Sequence, residues 1–125
     1  KDMQQLKIVE HFVKKNYKNI KVVGCKTIRE RNGVACSSRN FLLSSKEKLI
    51  ASETYKLLKS NKKFLIKNKS TLMSVKKYIL KLGIKKIDYI KILDINKIMK
   101  PYKKKNRYKI FIAYYLGTTR LIDNI

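Results

Sequence analysis

The stretch Ala35-Cys36-Ser37-Ser38-Arg39-Asn40 joins two parts of the chain, since it follows a short α/β-like segment and precedes a run typical of a helix. A polar turn, Arg31-Asn32-Gly33, comes just before it. Two hydroxyls, a guanidinium and an amide at a loop-to-helix junction favour anion binding, because a helix N-terminus offers free N–H groups. Plain capping is the alternative, in which Ser37 and Asn40 satisfy those N–H groups and Arg39 faces water.

Length and composition predict a globular chain. With 125 residues, 44% of them hydrophobic, it can bury a core as one domain, or as one domain plus a piece of another. Its apolar runs are too short to cross a membrane and no signal peptide opens it, so a cytoplasmic location is the default expectation. Cys25 and Cys36 lack a CxxC spacing or a nearby His pair; we expect two small buried residues, with no metal site.

The formal net charge of +24 raises the question of a polyanionic partner. The lysines are spread along the whole chain together with many Ile, Asn and Tyr residues, a pattern typical of an AT-rich genome. The aromatic residues do not alternate with arginines as they do on a base-stacking surface. Compositional drift is therefore favoured, and a basic non-enzymatic module that binds nucleic acid or another polyanion stays as the alternative.

The chain before the quoted stretch has the pattern of half an α/β repeat. Residues 2–16 place Leu6, Val9, Phe12 and Val13 at helical spacing behind an acidic residue, which predicts an amphipathic helix. Residues 20–28 are short and β-branched, which predicts a buried strand.

The chain after the quoted stretch has the pattern of a small α+β domain. Ser44-Ser45-Lys46-Glu47 is a capping box, so a helix should run from there to about residue 61. Residues 70–82 predict a second helix that Gly83 ends, and residues 87–93 and 108–116 predict two strands. The segment 99–106, with Pro101 and a charge run, predicts a solvated loop. The fold class is α/β, with two helices packed on a short antiparallel sheet.

Three strings of sequence together resemble one enzyme family. They are Lys1-Asp2-Met3-Gln4-Gln5, then Arg29–Ala35 continued by Cys36-Ser37-Ser38-Arg39-Asn40, and finally the tail from Leu116 to Asn124. In this order and at this spacing they resemble the pantoate–β-alanine ligases, also called pantothenate synthetases. Any one string would be a weak signal, but three in register span the whole chain.

The resemblance implies a particular domain organisation. Family members are much longer, so this chain would be the C-terminal part of a ligase, inactive without the missing N-terminal half. Residues 1–27 would be the last helix and strand of a Rossmann-like nucleotide-binding domain. Residues 28–125 would be a C-terminal lid domain. The full-length enzyme would be a cytoplasmic homodimer.

The resemblance also implies a reaction. The pantoate carboxylate attacks the α-phosphate of ATP, supplied with magnesium, to give pantoyl adenylate and pyrophosphate. The amine of β-alanine then attacks the acyl carbon and releases AMP, giving pantothenate, a precursor of coenzyme A. Such a reaction needs positioning and electrostatic stabilisation rather than a protein nucleophile.

By matched position, the resemblance implies one pantoate residue and one set of ATP residues. Gln5 would bind pantoate, and Lys1 and Arg39 would stabilise the phosphates. The implied ATP contacts are Lys1, Asp2, Ile28, Cys36, Ser37, Ser38 and Arg39. Asp2 could instead be an ordinary helix cap, and Arg120 and Asp123 in the tail are interpreted as a structural pair.

Three residues depart from the family pattern. Met3 stands where Tyr is usual, Lys26 where Pro is common, and Cys36 where Leu or Met is usual. These changes affect side-chain packing at those points, and Lys26 would loosen a hinge that a proline would stiffen.

Overall fold

A computed structural model describes residues 1–97 and 107–125 of the chain. In chain order, the helices are α1 (Met3–Asn16), α2 (Ser45–Ser60), α3 (Lys62–Lys67) and α4 (Leu72–Lys81). The strands are β1 (Lys86–Asp94), β2 (Tyr108–Leu116) and β3 (Thr119–Asn124). A short 3-10 helix, Ser38–Leu42, lies within the stretch quoted above. The predicted loop over 99–106 lies outside the described residues.

Helix α1 confirms the predicted N-terminal helix. The Asp2 side chain caps it by accepting a hydrogen bond from the backbone N–H of Gln5. Lys14 and Lys15 lie in its last turn, where their positive charges interact favourably with the negative end of the helix dipole. Ile8, Val9 and Phe12 are exposed on its surface. Leu6 and Val13 are half-buried, so the described part of the chain covers the apolar face of α1 only in part.

The buried strand predicted over residues 20–28 is wrong. Ile20, Val23 and Ile28 are 57%, 70% and 77% exposed. Within the described residues, no strand lies alongside residues 20–27, and the first bridge in this region joins Arg29 to Ala35. An extended segment becomes a strand only through hydrogen bonds to a neighbour, so β-branched composition alone does not make one.

The two main helices of the second region confirm their predictions. The Ser44 hydroxyl accepts from the Glu47 N–H and the Glu47 carboxylate accepts from the Ser44 N–H, which is the predicted capping box of α2. Helix α4 ends just before Gly83, whose φ of +108° is the left-handed conformation that ends helices. The short helix α3 between them was not predicted.

The sheet has the order β1-β2-β3 and is antiparallel throughout. Strands β1 and β2 confirm the two predicted strands, whereas β3 was missed. Leu116 pairs with Thr119, so a two-residue turn joins β2 to β3. Gly117 begins that turn with a φ of +53°, a conformation that favours glycine and a tight hairpin.

The core forms where α2, α3 and α4 pack on one face of the sheet, which confirms the predicted packing of helices on a short antiparallel sheet. Side chains from all three helices and from β2 are completely buried there; the largest are Leu58, Leu65, Ile79, Ile110, Ile112 and Leu116. Burial of each such side chain contributes roughly 1.5–3 kcal/mol.

The cysteines lie outside this core. Cys25 and Cys36 are both free and exposed, so the prediction that they are buried is wrong. Cys25 lies in an irregular segment whose neighbouring residues are also exposed, whereas Cys36 directly follows the buried Val34 and Ala35 and is itself exposed. Among the described residues, no helix is long and apolar enough to cross a membrane.

Candidate functional site

Residues 28–36 form a compact loop that presents the quoted stretch. The N–H of Cys36 donates to the carbonyl of Ile28 at 3.0 Å, and the N–H of Glu30 donates to the carbonyl of Val34 at 2.9 Å. Gly33 lies at the tip with a φ of +92°. A Cβ at this position would lie 2.4 Å from the ring of Tyr55, so both the backbone conformation and the close approach require glycine.

Arg29 anchors the loop to the sheet. Its guanidinium donates to both carboxylate oxygens of Asp123, at 2.6 and 3.0 Å, and to the carbonyls of Gly33 and Asn124. It also lies 4.2 Å from the centroid of the Tyr55 ring. Burial alone would lower the pKa of Arg29, but the hydrogen bond and charge of Asp123 outweigh it and raise that pKa. The base of the loop is therefore fixed to the end of β3.

Asn40 ties the far end of the quoted stretch to the same loop. Its amide donates to the Glu30 carboxylate at 2.5 Å and to the Ala35 carbonyl at 3.1 Å. The Asn40 side chain is buried, so it acts inside the loop and does not cap the helix as the capping hypothesis proposed.

Ser37 caps the short 3-10 helix, whereas Arg39 is exposed. The Ser37 hydroxyl accepts a hydrogen bond from the backbone N–H of Arg39 at 3.3 Å, which confirms a capping role for Ser37 and leaves the hydroxyl proton free to donate. Ser38 and Arg39 are exposed. The guanidinium of Arg39 has no hydrogen-bond or ion-pair partner among the residues that the structure describes.

Lys1 lies against this stretch although the two are far apart in sequence. Its ammonium donates to the carbonyl of Cys36 at 3.0 Å. Burial lowers the pKa of Lys1, the charge of Arg39 lowers it further, and Asp123 and Cys36 partly oppose the change. Two cationic side chains thus lie near each other with donors to spare, an arrangement that suits a multivalent anion.

The other implied residues lie close to Lys1 in the chain or in space. The Asp2 carboxylate is engaged by the Gln5 backbone N–H at 3.0 Å, so the capping interpretation of Asp2 is confirmed. The Gln5 side chain is exposed on the first turn of α1. Ile28 is exposed, and its backbone carbonyl accepts a hydrogen bond from Cys36, whose own carbonyl binds Lys1.

A cleft of about 290 Å³ opens beside Lys1, between the start of α1, residues 24–27 and the sheet. Five of its lining side chains are cationic, namely Lys1, Lys7, Lys26, Arg107 and Lys109, and two are acidic, namely Asp2 and Glu10. Burial lowers the pKa of Lys109, and the charges of neighbouring cations lower it further. The cleft is therefore a region of positive potential next to the loop.

Two residues in the tail do not pair as predicted. Arg120 pairs with Asp88 at 2.7 Å, whereas Asp123 pairs with Arg29. Residues 120 and 123 are an odd number of positions apart on β3, so their side chains point to opposite faces of the sheet. The prediction that Arg120 and Asp123 form a pair is wrong.

Sequence reasoning missed the residues that hold the loop, namely Arg29, Glu30 and Asn124. Arg29 and Asp123 are 94 positions apart, so no local pattern connects them. The signal that was available is the tail string itself, which ends in Asp123-Asn124. Among the described residues, no group of three or more His, Cys, Asp and Glu side chains could hold a metal ion.

The model of the pantoate-beta-alanine ligase family matches residues 1–125. The chain belongs to this family. It is 36% identical over 129 residues to a pantothenate synthetase of Caldicellulosiruptor saccharolyticus and 39% identical over 128 residues to one of Clostridium botulinum. The chain spans 46% of the length of each of these relatives.

Solved structures of ligases in this family match the whole chain. One is the enzyme of Francisella tularensis complexed with beta-gamma ATP and beta-alanine, with a TM-score of 0.75, 33% identity and 40% of that chain covered. Another is the pantothenate synthetase of Thermus thermophilus, with a TM-score of 0.81, 26% identity and 46% of that chain covered. The family assignment is thus confirmed, and the alternative of a polyanion-binding module is not supported.

Proposed function

We propose that this chain is the C-terminal portion of an ATP-dependent ligase that condenses pantoate with β-alanine through a pantoyl adenylate. The observation that carries the proposal is the approach of Lys1 to the Cys36 carbonyl beside Arg39, which has no partner within the described residues. Family membership and the ATP and β-alanine complex of the Francisella tularensis relative support the same reaction.

In the first step, the pantoate carboxylate attacks the α-phosphorus of ATP, and the bond from that phosphorus to the bridging oxygen of the leaving pyrophosphate breaks. Negative charge on the phosphoryl oxygens and the leaving pyrophosphate must be stabilised. The Lys1 ammonium and the Arg39 guanidinium supply that charge stabilisation, Arg39 with several fixed donors. The free proton of the Ser37 hydroxyl supplies a further donor, and Ser38 and Cys36 complete the loop around the phosphates.

The remaining residues bind the ends of the substrates. Asp2 accepts from the ribose with the carboxylate oxygen that the helix cap leaves free, Ile28 contacts the adenine, and Gln5 donates to pantoate. In the second step the β-alanine amine attacks the acyl carbon, AMP leaves, and the amine loses a proton. This reaction needs no covalent bond between a residue of this chain and the substrates.

Residues 1–27 would complete a nucleotide-binding domain, and residues 28–125 would form the lid. The exposed side chains of Ile8, Val9 and Phe12 on α1 support a surface that the remainder of such a ligase covers. The complete enzyme would act in the cytoplasm as a homodimer.

Magnesium would reach the site with ATP. The residues in the described part of the chain do not form a carboxylate cluster, whereas magnesium commonly binds through substrate phosphates and water. Lys1 and Arg39 would then contact the phosphate oxygens that the ion leaves free.

The decisive experiment compares Arg39→Ala with Arg31→Ala in the complete ligase. Arg31 is an exposed arginine in the neighbouring turn and has no assigned role, so it is a matched control. We expect Arg39→Ala to slow pantoate-dependent ATP–pyrophosphate exchange by about a hundred-fold, because a preorganised donor to the transferring phosphoryl group is lost. Arg31→Ala should leave the exchange rate unchanged.

Equal rates for the two variants would contradict the proposed role of Arg39. Salt-sensitive binding to DNA that both variants weaken equally, with no exchange activity in the wild type, would instead favour a polyanion-binding module. Pantothenate formation by the 125-residue chain alone would contradict the expectation that the remaining half is required.

A further inference from the structure

Asn124, the last residue of β3, makes side-chain contacts that the proposed function does not use. Its amide N–H donates to the backbone carbonyl of Lys1, and its amide oxygen accepts from the Lys109 ammonium at 2.8 Å. The residue is only 3% exposed, so these bonds form away from competing water.

Lys1 is consequently held at two points. Asn124 binds its main chain, and the Cys36 carbonyl accepts from its ammonium. The backbone carbonyl of Asn124 also accepts from Arg29, which anchors the loop that carries Cys36. The end of β3 thus fixes both Lys1 and the base of the loop opposite it.

The backbone pairs that build the sheet do not depend on the Asn124 side chain, although that side chain also accepts a hydrogen bond from the Lys109 ammonium on β2. Strand β3 is held to β2 by backbone pairs from Phe111–Asn124 to Leu116–Thr119. The hydrophobic core lies among α2, α3, α4 and the sheet, and Asn124 contributes no side chain to it. Shortening Asn124 should therefore release Lys1 while leaving the fold intact.

We propose that Asn124 is a positioning residue of the phosphate site, because its amide holds the Lys1 main chain where the Lys1 ammonium reaches the loop beside Arg39. Lysine has a long and flexible side chain, so fixing its backbone limits the volume that its ammonium samples. This inference rests on the proposed ligase function and adds a residue to it that touches no substrate.

The test uses Asn124→Ser in the complete ligase, with Asn61→Ser as the matched control. Asn61 also donates its side-chain amide to a backbone carbonyl, that of Leu57 at 2.9 Å, but it lies at the end of α2. We expect Asn124→Ser to slow ATP–pyrophosphate exchange about three- to ten-fold, the range for one neutral hydrogen bond. The control should exchange at the wild-type rate.

Two readouts separate positioning from a general structural effect. The KM for β-alanine should not change, because β-alanine reacts after pyrophosphate has formed. The alkaline limb of the exchange rate should move to higher pH. Burial and the charge of Arg39 lower the pKa of Lys1, whereas Asp123 and Cys36 raise it. Because burial and Arg39 have the larger effect, the pKa of Lys1 should rise when its ammonium moves out of the site.

A wild-type enzyme without exchange activity would refute the proposed function. If the wild type is active but Asn124→Ser and Asn61→Ser have the same exchange rate and the same alkaline limb, the positioning role alone is refuted. If Asn124→Ser does not fold, Asn124→Thr, which suits a strand better, takes its place. Failure of both variants to fold would overturn the proposal, since Asn124 would then be required for the fold itself.

Discussion

Replacing Arg29 with leucine should destabilise the chain strongly, because Asp123 would lose its bidentate partner. The side chains of Arg29 and Asp123 are only 19% and 11% exposed. Removing one member of a buried ion pair costs about 3–5 kcal/mol, since the other charge stays desolvated and unpaired. The remaining solvent contact places the expected loss near the lower end, at about 3 kcal/mol.

A loss of this size is a large part of the stability of a domain this long, which is roughly 6–15 kcal/mol. It should lower the melting temperature by about 10 °C. Urea unfolding of the 125-residue chain, followed by circular dichroism, measures it directly. We expect a lower midpoint with an unchanged m-value, because the surface exposed on unfolding stays the same.

Arg120→Leu is the matched control, because Arg120, like Arg29, is an arginine that forms an ion pair with an aspartate. That pair, with Asp88, is more exposed, and such surface pairs contribute little to stability. In a double-mutant cycle, Arg29→Leu with Asp123→Leu should be less destabilised than the sum of the single changes. An Arg29→Leu midpoint equal to that of Arg120→Leu, or an additive cycle, would refute the reasoning.

Three further predictions follow from the described contacts. Gly33→Ala should lower the midpoint of urea unfolding by the equivalent of about 1–3 kcal/mol, because alanine disfavours the φ of +92° and its Cβ would meet the Tyr55 ring; an unchanged midpoint would argue against this loop geometry. Ser44→Ala should cost about 1 kcal/mol in the same assay through loss of the α2 cap, with Ser44→Gly costing only a few tenths. ATP–pyrophosphate exchange by the complete ligase should decline as the pH rises, and the midpoint of this decline should lie below 10.5, the ordinary pKa of lysine. The reason is that burial and Arg39 lower the pKa of Lys1 and only its charged form binds phosphate. Arg39→Gln removes one of those causes, so the limb should move to higher pH; a limb at the same pH would contradict the coupling.

Local sequence signals predicted the elements that depend on neighbouring residues. The capping box at Ser44 and Glu47 and the stop at Gly83 each act within one helical turn, and both are confirmed. The strand predicted over residues 20–28 is wrong because a strand needs a partner, which composition does not supply. Strand β3 is not among the predicted strands although Gly117 marks a tight turn, because the tail string indicates a family motif rather than a strand.

The candidate site was predictable in its residue types and not in its arrangement. The motif strings identify Lys1 and Arg39, and the structure brings both beside Cys36. The roles of these residues toward ATP and pantoate stay predictions. Arg29 and Asn124 could not be predicted as anchors, because hydrogen bonds across the whole chain length leave no periodic pattern.

The order of residues was enough to determine the family, the main helices, two strands and the cationic character of the chain, because motifs, capping and periodicity are encoded over short distances. The tertiary structure alone decided that Asp123 binds Arg29 instead of Arg120 and that Asn124 holds Lys1. Alternation along β3 sends neighbouring side chains to opposite faces, and only the packing of the sheet determines what each face meets.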